Sequence, residues 1–351
     1  MRSASTSRNI IGQLIDLISH KLLINTGPRD YYFFEFYKRG LTWEKKSRYA
    51  SDRYSRYWIF ENNPFKYQIL FTDKYVQKSL LTGLNLPTPT MLAFVGGGGA
   101  VSTLQDFRTI VERAPDEFVL KPVSARGGRG FRKLRKSQGL LLEGGDPIQV
   151  DDLWLSLQPD MNRGILIEET AHNIEPIRRM NLSSLNTFRV ITFKFPDAGW
   201  VPICSYLKVG RANSVVDNRH DGGLLVRIDS DGTTGMAVDP NSRSDHSHHP
   251  ETGSALAGIH IDGFQDVIEL AVTASAPFSQ MGILGWDIAL TPGGPKIIEV
   301  NASPAVDFLQ VVYGGLVTDE MARVLTPRNI FSRYPRTYMY PNHLIDRKGR
   351  I

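Results

Sequence analysis

Cys204 is the only cysteine in 351 residues, so no disulfide can form within the chain. A reducing compartment, the cytoplasm, is its expected home. Lying within an apolar run, Cys204 reads as core rather than as a nucleophile. No apolar run approaches the roughly 20 residues of a membrane span. The first 25 residues have basic and apolar parts but neither the sustained apolar stretch nor the small-residue cleavage site of a signal peptide, and Ile10 to Ile24 read as an amphipathic helix of the mature chain. Two phosphate-binding signatures are also missing: there is no G-K-[ST] loop and no G-x-G-x-x-G fingerprint. The net charge of +5 and isoelectric point near 9.2 favour anionic ligands without naming one.

What is present is ordinary in bulk and specific in detail. Hydrophobic residues make up 41% and charged residues 22%, as in a globular protein long enough for two or three small domains. Four regions follow from the patterning: a helical, aromatic-rich N-terminal region (1–90), a compact α+β unit (91–170), a second α+β unit (171–325) and a basic tail (326–351). In the first region, "RDYYFFEFYKRGLTWEKKSRYASDRYSRYW" mixes aromatics with cations. Interspersed acids at Glu35, Glu44, Asp52 and Glu61 favour helices that pack aromatics inward over a nucleic-acid surface. "FTDKYVQKSLLTGLNLPTPT" predicts a helix from Asp73 to about Leu81, closed by Gly83 and "PTP". "GGGG" at 96–99 reads as a loop, and a helix over 103–113 follows.

The chemistry concentrates in two places. A strand, "EFVLKP" (117–122), places Lys121 beside a loop carrying Arg126, Gly127, Gly128, Arg129 and Gly130. Glycines there allow backbone N–H groups to close on phosphate oxygens, and lysine supplies a compact positive charge. Further on, two strands joined by "TPGGP" bring Asp287 toward Glu299 and Asn301. Buried carboxylates are costly unless paired or holding a cation, and an oxygen-only set of this kind suits a hard cation. The loop "SDHSHHPETG" has zinc-type donors but not the fixed spacing of a tetrahedral site.

Taken in order, "DK" before a helix, the strand with "KP" and its glycine loop, a strand ending in "EE", an "R-V" strand, "DN…GG" and "D…E-V-N" resemble the ATP-grasp superfamily over roughly residues 69–310. "NTFRVIT", "VVDNRHDGGLLVRID", "HPETG" and "GWDIAL…GPKIIEVNASP" look closest to the sugar-transfer-associated subgroup, with the D-alanine–D-alanine and glutamate ligases more distant. The resemblance implies an α+β ATP-grasp fold in which two α+β lobes clamp ATP. It implies, by residue, Lys74 and Lys121 near the phosphates, and Arg126 to Gly130 as a lid over them. Glu168 and Glu169 match the hinge meeting adenine, Glu175 the ribose carboxylate, and Asn218 with Asp217 the phosphate surroundings. Asp287, Glu299 and Asn301 match ligands for Mg²⁺ (or Mn²⁺). D-alanine ligases carry an arginine two positions before the metal aspartate. Gly285 stands there instead, leaving the transition-state role to Arg189, with Arg219 or Arg211 as lesser candidates.

The implied reaction is ligation of a small-molecule carboxylate to an amine through an acyl phosphate. The substrates would be an amino acid, a peptide or an amino sugar of a surface polymer or secondary metabolite. A kinase on the same fold is the alternative, and a homodimer is compatible with either.

Overall fold

The computed structural model of the chain describes residues 7–315, apart from 124, 126, 213 and 218–221. Candidates Arg126, Asn218 and Arg219 and the basic tail therefore lie outside the described residues. In chain order the helices are α1 (Ile10–Ile24), α2 (Pro28–Phe33), α3 (Trp43–Ser47), α4 (Asp52–Asn62), α5 (Phe65–Gln68), α6 (Lys74–Gly83), α7 (Leu104–Arg113), α8 (Val150–Leu157), α9 (Glu175–Arg178), α10 (Phe264–Ser275) and α11 (Asp307–Tyr313). The chain divides into two compact units, one formed by residues 1–65 with 305–351 and the other by residues 66–304.

In the first unit, short helices enclose an aromatic core of Tyr31, Phe34 and Phe36, with Tyr49 packed against it. The inward-facing aromatics expected from the sequence are what close this unit. α11 joins it from the far end of the sequence. The Gln310 amide donates to the Ala50 carbonyl (3.0 Å) and accepts from the Ala50 N–H (2.6 Å), and the Phe308 ring meets Phe33 edge-on.

The second unit holds two antiparallel sheets. The smaller is built from β1 (Met91–Val95), β2 (Glu117–Pro122), β3 (Arg132–Ser137), β4 (Leu140–Glu143), β5 (Asp146–Pro147) and β6 (Ile165–Glu169), in the order β1-β6-β2-β3-β4-β5. Phe118, Leu120, Leu134, Ile165 and Ile167 bury one face of it against Phe107 of α7 and Leu153 of α8. The larger contains β7 (Thr187–Phe195), β8 (Gly199–Val209), β9 (Leu224–Ile228), β10 (Thr234–Val238), β11 (Asp245–His246), β12 (Ile283–Thr291) and β13 (Gly294–Asn301). Its order is β11-β10-β9-β8-β7-β12-β13. One face of the larger sheet, with Phe188, Val190, Leu207, Trp286 and Ile297, packs on Val267 and Ala271 of α10. The fully buried Trp286 indole donates to Ser275 (3.0 Å) and Thr192 (3.2 Å) hydroxyls, so its polar atom is not stranded.

Local signals explain the boundaries. Asp73 caps α6 by accepting from the N–H groups of Tyr75 (2.8 Å) and Val76 (2.9 Å), so the helix starts at Lys74. The helix runs through Gly83, and the left-handed residue that ends it is Asn85 (φ 56°). α10 stops at Ser275, because Pro277 cannot continue it. In the "GGGG" loop, the N–H groups of Gly96, Gly97 and Gly99 bond to the carbonyls of Val101, Met161 and Gly96. Those donors are spent on backbone carbonyls, which accords with the loop reading.

Candidate active site

The face of the larger sheet turned away from α10 is charged, and the strand registers explain how. Arg227, Tyr206, Arg189, Asp287 and Glu299 are successive cross-strand partners on β9, β8, β7, β12 and β13. Period-2 alternation keeps Thr187, Lys208 and Asn301 on that same face. One irregularity is essential. A bulge lets Asp287 pair with Glu299 while Ile288 pairs with Ile297, so Ile298 is the extra residue. It places both Lys296 and Glu299 on the charged face although they are three apart, as bulges do where a side chain must be re-aimed.

At the centre, the Arg189 guanidinium donates twice to Asp287, Nε to Oδ1 at 2.6 Å and Nη2 to Oδ2 at 2.9 Å. Lys208 Nζ stands 3.2 Å from the same Oδ1 and 3.4 Å from Asp217. Asp217 Oδ2 accepts from the Thr187 N–H (2.9 Å) and hydroxyl (2.5 Å). Burial opposes ionisation of Asp287, but Arg189 and Lys208 outweigh it and hold the carboxyl below the usual carboxylate range. Burial also works against the Lys208 ammonium, yet Asp217 and Asp287 hold it above the ordinary lysine value. Asp217 differs: burial dominates and raises its carboxyl above the ordinary value despite Lys208.

Gly285 lies on this face opposite Asn301, in the strand beside Arg189. A Cβ there would fall 2.7 Å from Pro304 Cβ and 3.7 Å from Arg189 Cδ. The volume a side chain at 285 would enter is thus partly held by Arg189, reaching in from the neighbouring strand. Gly285→Ala is expected to destabilise the protein by about 1–3 kcal/mol through overpacking. Urea midpoints of the two proteins check this.

The second cluster belongs to the smaller sheet. Lys121 Nζ on β2 donates to Glu168 Oε2 at 2.6 Å, and Lys78 Nζ on α6 meets Oε1 at 2.8 Å. Glu168 is buried, and although burial resists its charge, Lys121 and Lys78 keep the carboxyl below the usual range. Lys78 is pushed down from the ordinary lysine value by burial, which Glu168 only partly offsets. Its other polar contact is the Thr88 hydroxyl at 2.7 Å.

The two clusters are joined along β13. Lys296 Nζ pairs with Glu169 at 2.7 Å, and the bulged Ile298 lines a cleft with Lys121, Glu169, Asn173 and Arg178. Glu299 is the next residue. Lys74 donates to the Ala125 carbonyl in the loop that follows β2. In that loop Gly127, Gly128 and Gly130 all have positive φ, which any other residue adopts only with strain. A Cβ on Gly130 would fall 2.8 Å from Pro122 Cγ, and one on Gly128 3.1 Å from Val216.

Not every candidate joins this arrangement. Glu175 is exposed at the start of α9, paired with Arg178 (3.1 Å) and Arg179 (3.0 Å), and lines a separate depression with Ser254 and Ile259. Arg211 is tied to Asp239 (2.6 Å), Glu251 (3.3 Å) and the Gly222 carbonyl (2.7 Å) rather than to Asp287. His249 is committed to its own loop: Nε2 lies 2.9 Å from the Gly210 carbonyl, and Nδ1 accepts from the N–H groups of Glu251 and Thr252. Cys204 is half-buried, and desolvation pushes its thiol well above the ordinary value.

Sequence reasoning missed Lys78, Lys208 and Lys296. Only Lys208 carried a signal, as a lysine at an alternating position of an otherwise apolar strand.

The sugar-transfer-associated ATP-grasp family matches residues 53–325. The chain belongs to that family. With the family comes the α+β ATP-grasp fold, whose two sheets are those of residues 66–304. Among curated proteins no sequence matches the chain. Solved structures similar to it include an N5-carboxyaminoimidazole synthase from Aspergillus clavatus, at 14% identity and TM-score 0.41, over 69% of this chain and 47% of that one. A D-alanine–D-alanine ligase from Bacillus anthracis is 12% identical with TM-score 0.39, over 73% and 67%. A biotin carboxylase from Campylobacter jejuni is 12% identical with TM-score 0.43, over 74% and 46%. The chain thus spans less than half the length of the first and the last of these.

Proposed function

We propose that the protein is an ATP-dependent ligase that joins a carboxylate to an amine through an acyl phosphate, releasing ADP and phosphate. The observation carrying this reading is the five-strand row ending in Arg189, Asp287 and Glu299, continuous along β13 with the cleft that Lys121 and Glu169 line. Within it we take residues 91–170 as the smaller lobe and 171–325 as the larger.

The residues fit Mg²⁺ or Mn²⁺. Asp287, Glu299 and Asn301 offer oxygen donors alone, as such cations prefer. The Glu299 carboxylate makes neither a hydrogen bond nor an ion pair with a described residue. The Asn301 amide is buried with its Nδ2 unpartnered, and its two ends are interchangeable by rotation. An orphaned amide beside an uncommitted carboxylate is the mark of a place meant for a ligand. Bound there, the cation would neutralise charge on the phosphate oxygens.

The chain's own groups divide the remaining work. Glu168 fixes the Lys121 ammonium at the cleft, where it offers a point charge to a phosphate. The glycine loop offers backbone donors without side-chain obstruction. Arg189, held on Asp287, is the donor we assign to meet negative charge developing on the reacting carboxyl. Glu169 with Lys296, and the backbone at 169–171, border the space we assign to the base.

The test is an ADP-release screen of carboxylate and amine pairs. ADP and free phosphate are expected only when both are present, with Lys121→Ala and Glu299→Ala each reduced by about 100-fold or more. Wild-type ADP release in both variants would overturn the site. ADP formed with an alcohol and no free phosphate would replace the ligase by a kinase.

A further inference from the structure

Helix α1 is mounted inside out. Its polar edge faces the rest of the first unit: Asp16 accepts from Lys46 (3.2 Å) and the Tyr31 hydroxyl (3.2 Å) and pairs with Arg8 (3.1 Å). One turn on, His20 is 1% exposed, with its ring against Tyr31, Phe36 and Trp43. Leu23, 59% exposed, lies off the main stripe; the six aliphatic side chains Ile10, Ile11, Leu14, Ile15, Ile18 and Leu22 are left 48–86% exposed. At 100° per residue they occupy a single arc of about 140° on the side opposite Asp16 and His20. A helix serving only its own core would be turned the other way, since each buried aliphatic side chain is worth roughly 1.5–3 kcal/mol.

Charge identifies what the stripe meets. By sequence, the unit formed by residues 1–65 and 305–351 has 18 Lys and Arg against 10 Asp and Glu, a net +8, of which its described residues carry 10 against 7, a net +3; residues 66–304 have 23 against 26, a net −3. All of the chain's positive excess therefore resides in the unit that carries the stripe. Lys21 lies within the same arc, and the half-exposed Tyr32 and Trp43 flank the helix, where amphipathic rings suit a membrane interface. Size argues against a second copy of the chain as the occupant. Fifteen residues span about 22 Å, and a face roughly 10 Å wide offers on the order of 200 Å², far below the ~800 Å² per partner of a stable interface. Among the described residues no helix is long and apolar enough to cross a membrane, so the stripe can lie on a bilayer but not span it.

We propose that α1 is an interfacial helix that docks the protein on an anionic lipid bilayer, its aliphatic stripe in the acyl boundary and the surrounding cations over the headgroups. The test is co-sedimentation of the full chain with phosphatidylcholine vesicles, with and without phosphatidylglycerol. Binding to the anionic vesicles is expected, weakened by added salt. The triple variant Ile11→Ser, Ile15→Ser, Ile18→Ser is expected to bind at least about tenfold more weakly, with unchanged circular dichroism because these side chains are exposed.

Failure of the wild type to sediment with anionic vesicles overturns the proposal, as does undiminished binding by the triple variant. Equal binding to both vesicle types removes its electrostatic part. A wild-type mass twice the chain's in analytical ultracentrifugation, returned to the monomer mass by the triple variant, would assign the stripe to a second copy instead.

Discussion

Replacing Arg189 with methionine is expected to lower ADP release by about 10²–10³-fold at saturating ATP, with KM for ATP changed only a few-fold. The guanidinium is a bidentate donor at the middle of the charged row, 2.6 Å from Asp287, and it does not line the cleft we assign to the base. Loss confined to kcat is the signature of an interaction made in the transition state. Methionine preserves most of the buried aliphatic volume. Asp287 keeps Lys208 at 3.2 Å, so the variant should fold at a cost of a few kcal/mol. Arg189→Lys tests geometry separately from charge: lysine cannot reproduce the bidentate contact and is expected to recover only part of the rate. If methionine at 189 left kcat intact, Arg189 would be only the partner of Asp287.

Glu168→Gln is expected to cost about 3–5 kcal/mol, because two ammonium groups then face each other across a neutral amide. For a unit of this size, that is a fall of roughly 6–20 °C in Tm. The pH dependence carries the sign. The Glu168 carboxyl is held below the ordinary glutamate range, so its contribution is complete above that range in the wild type. It is lost as pH falls through the lower folded value. Wild type and variant should therefore differ most at neutral pH and converge in acid below the ordinary glutamate range. A gap in urea midpoints that stayed constant to the lowest accessible pH would show that Glu168 acts through packing instead. Lys78→Met restores charge balance to Glu168→Gln, and the double variant should recover part of the loss.

Much of the site was legible because it was local. The Lys121 strand and its glycine loop follow from a short apolar run ending in Lys-Pro and from three glycines. The β12–β13 hairpin follows from "TPGGP" between two apolar runs, and Asp73 announces the start of α6. What escaped was set by pairing across distance. Lys78 and Glu168 are 90 residues apart, and only the packing of α6 on the smaller sheet brings them to 2.8 Å. The bulge at Ile298 re-phases β13, so simple alternation would have put Lys296 and Glu299 on opposite faces. Glu175 failed to join the cleft because a seven-residue offset from Glu168 says nothing about which side of the chain faces it. The inverted mounting of α1 was equally hidden, since amphipathicity identifies a stripe but not the surface it meets.

The Gln310 bridge to Ala50 has a consequence for biosynthesis. The pair is separated by 260 positions, and the Phe308 and Phe33 rings by a similar span. At about 5–20 residues per second, a ribosome needs roughly 13–50 seconds between making the two halves of that contact. During that interval the emerging N-terminal segment, its aliphatic helix included, waits without its closing piece while the two sheets of residues 66–304 are still being made. Chaperone holding, or early capture by a bilayer, would act in that window.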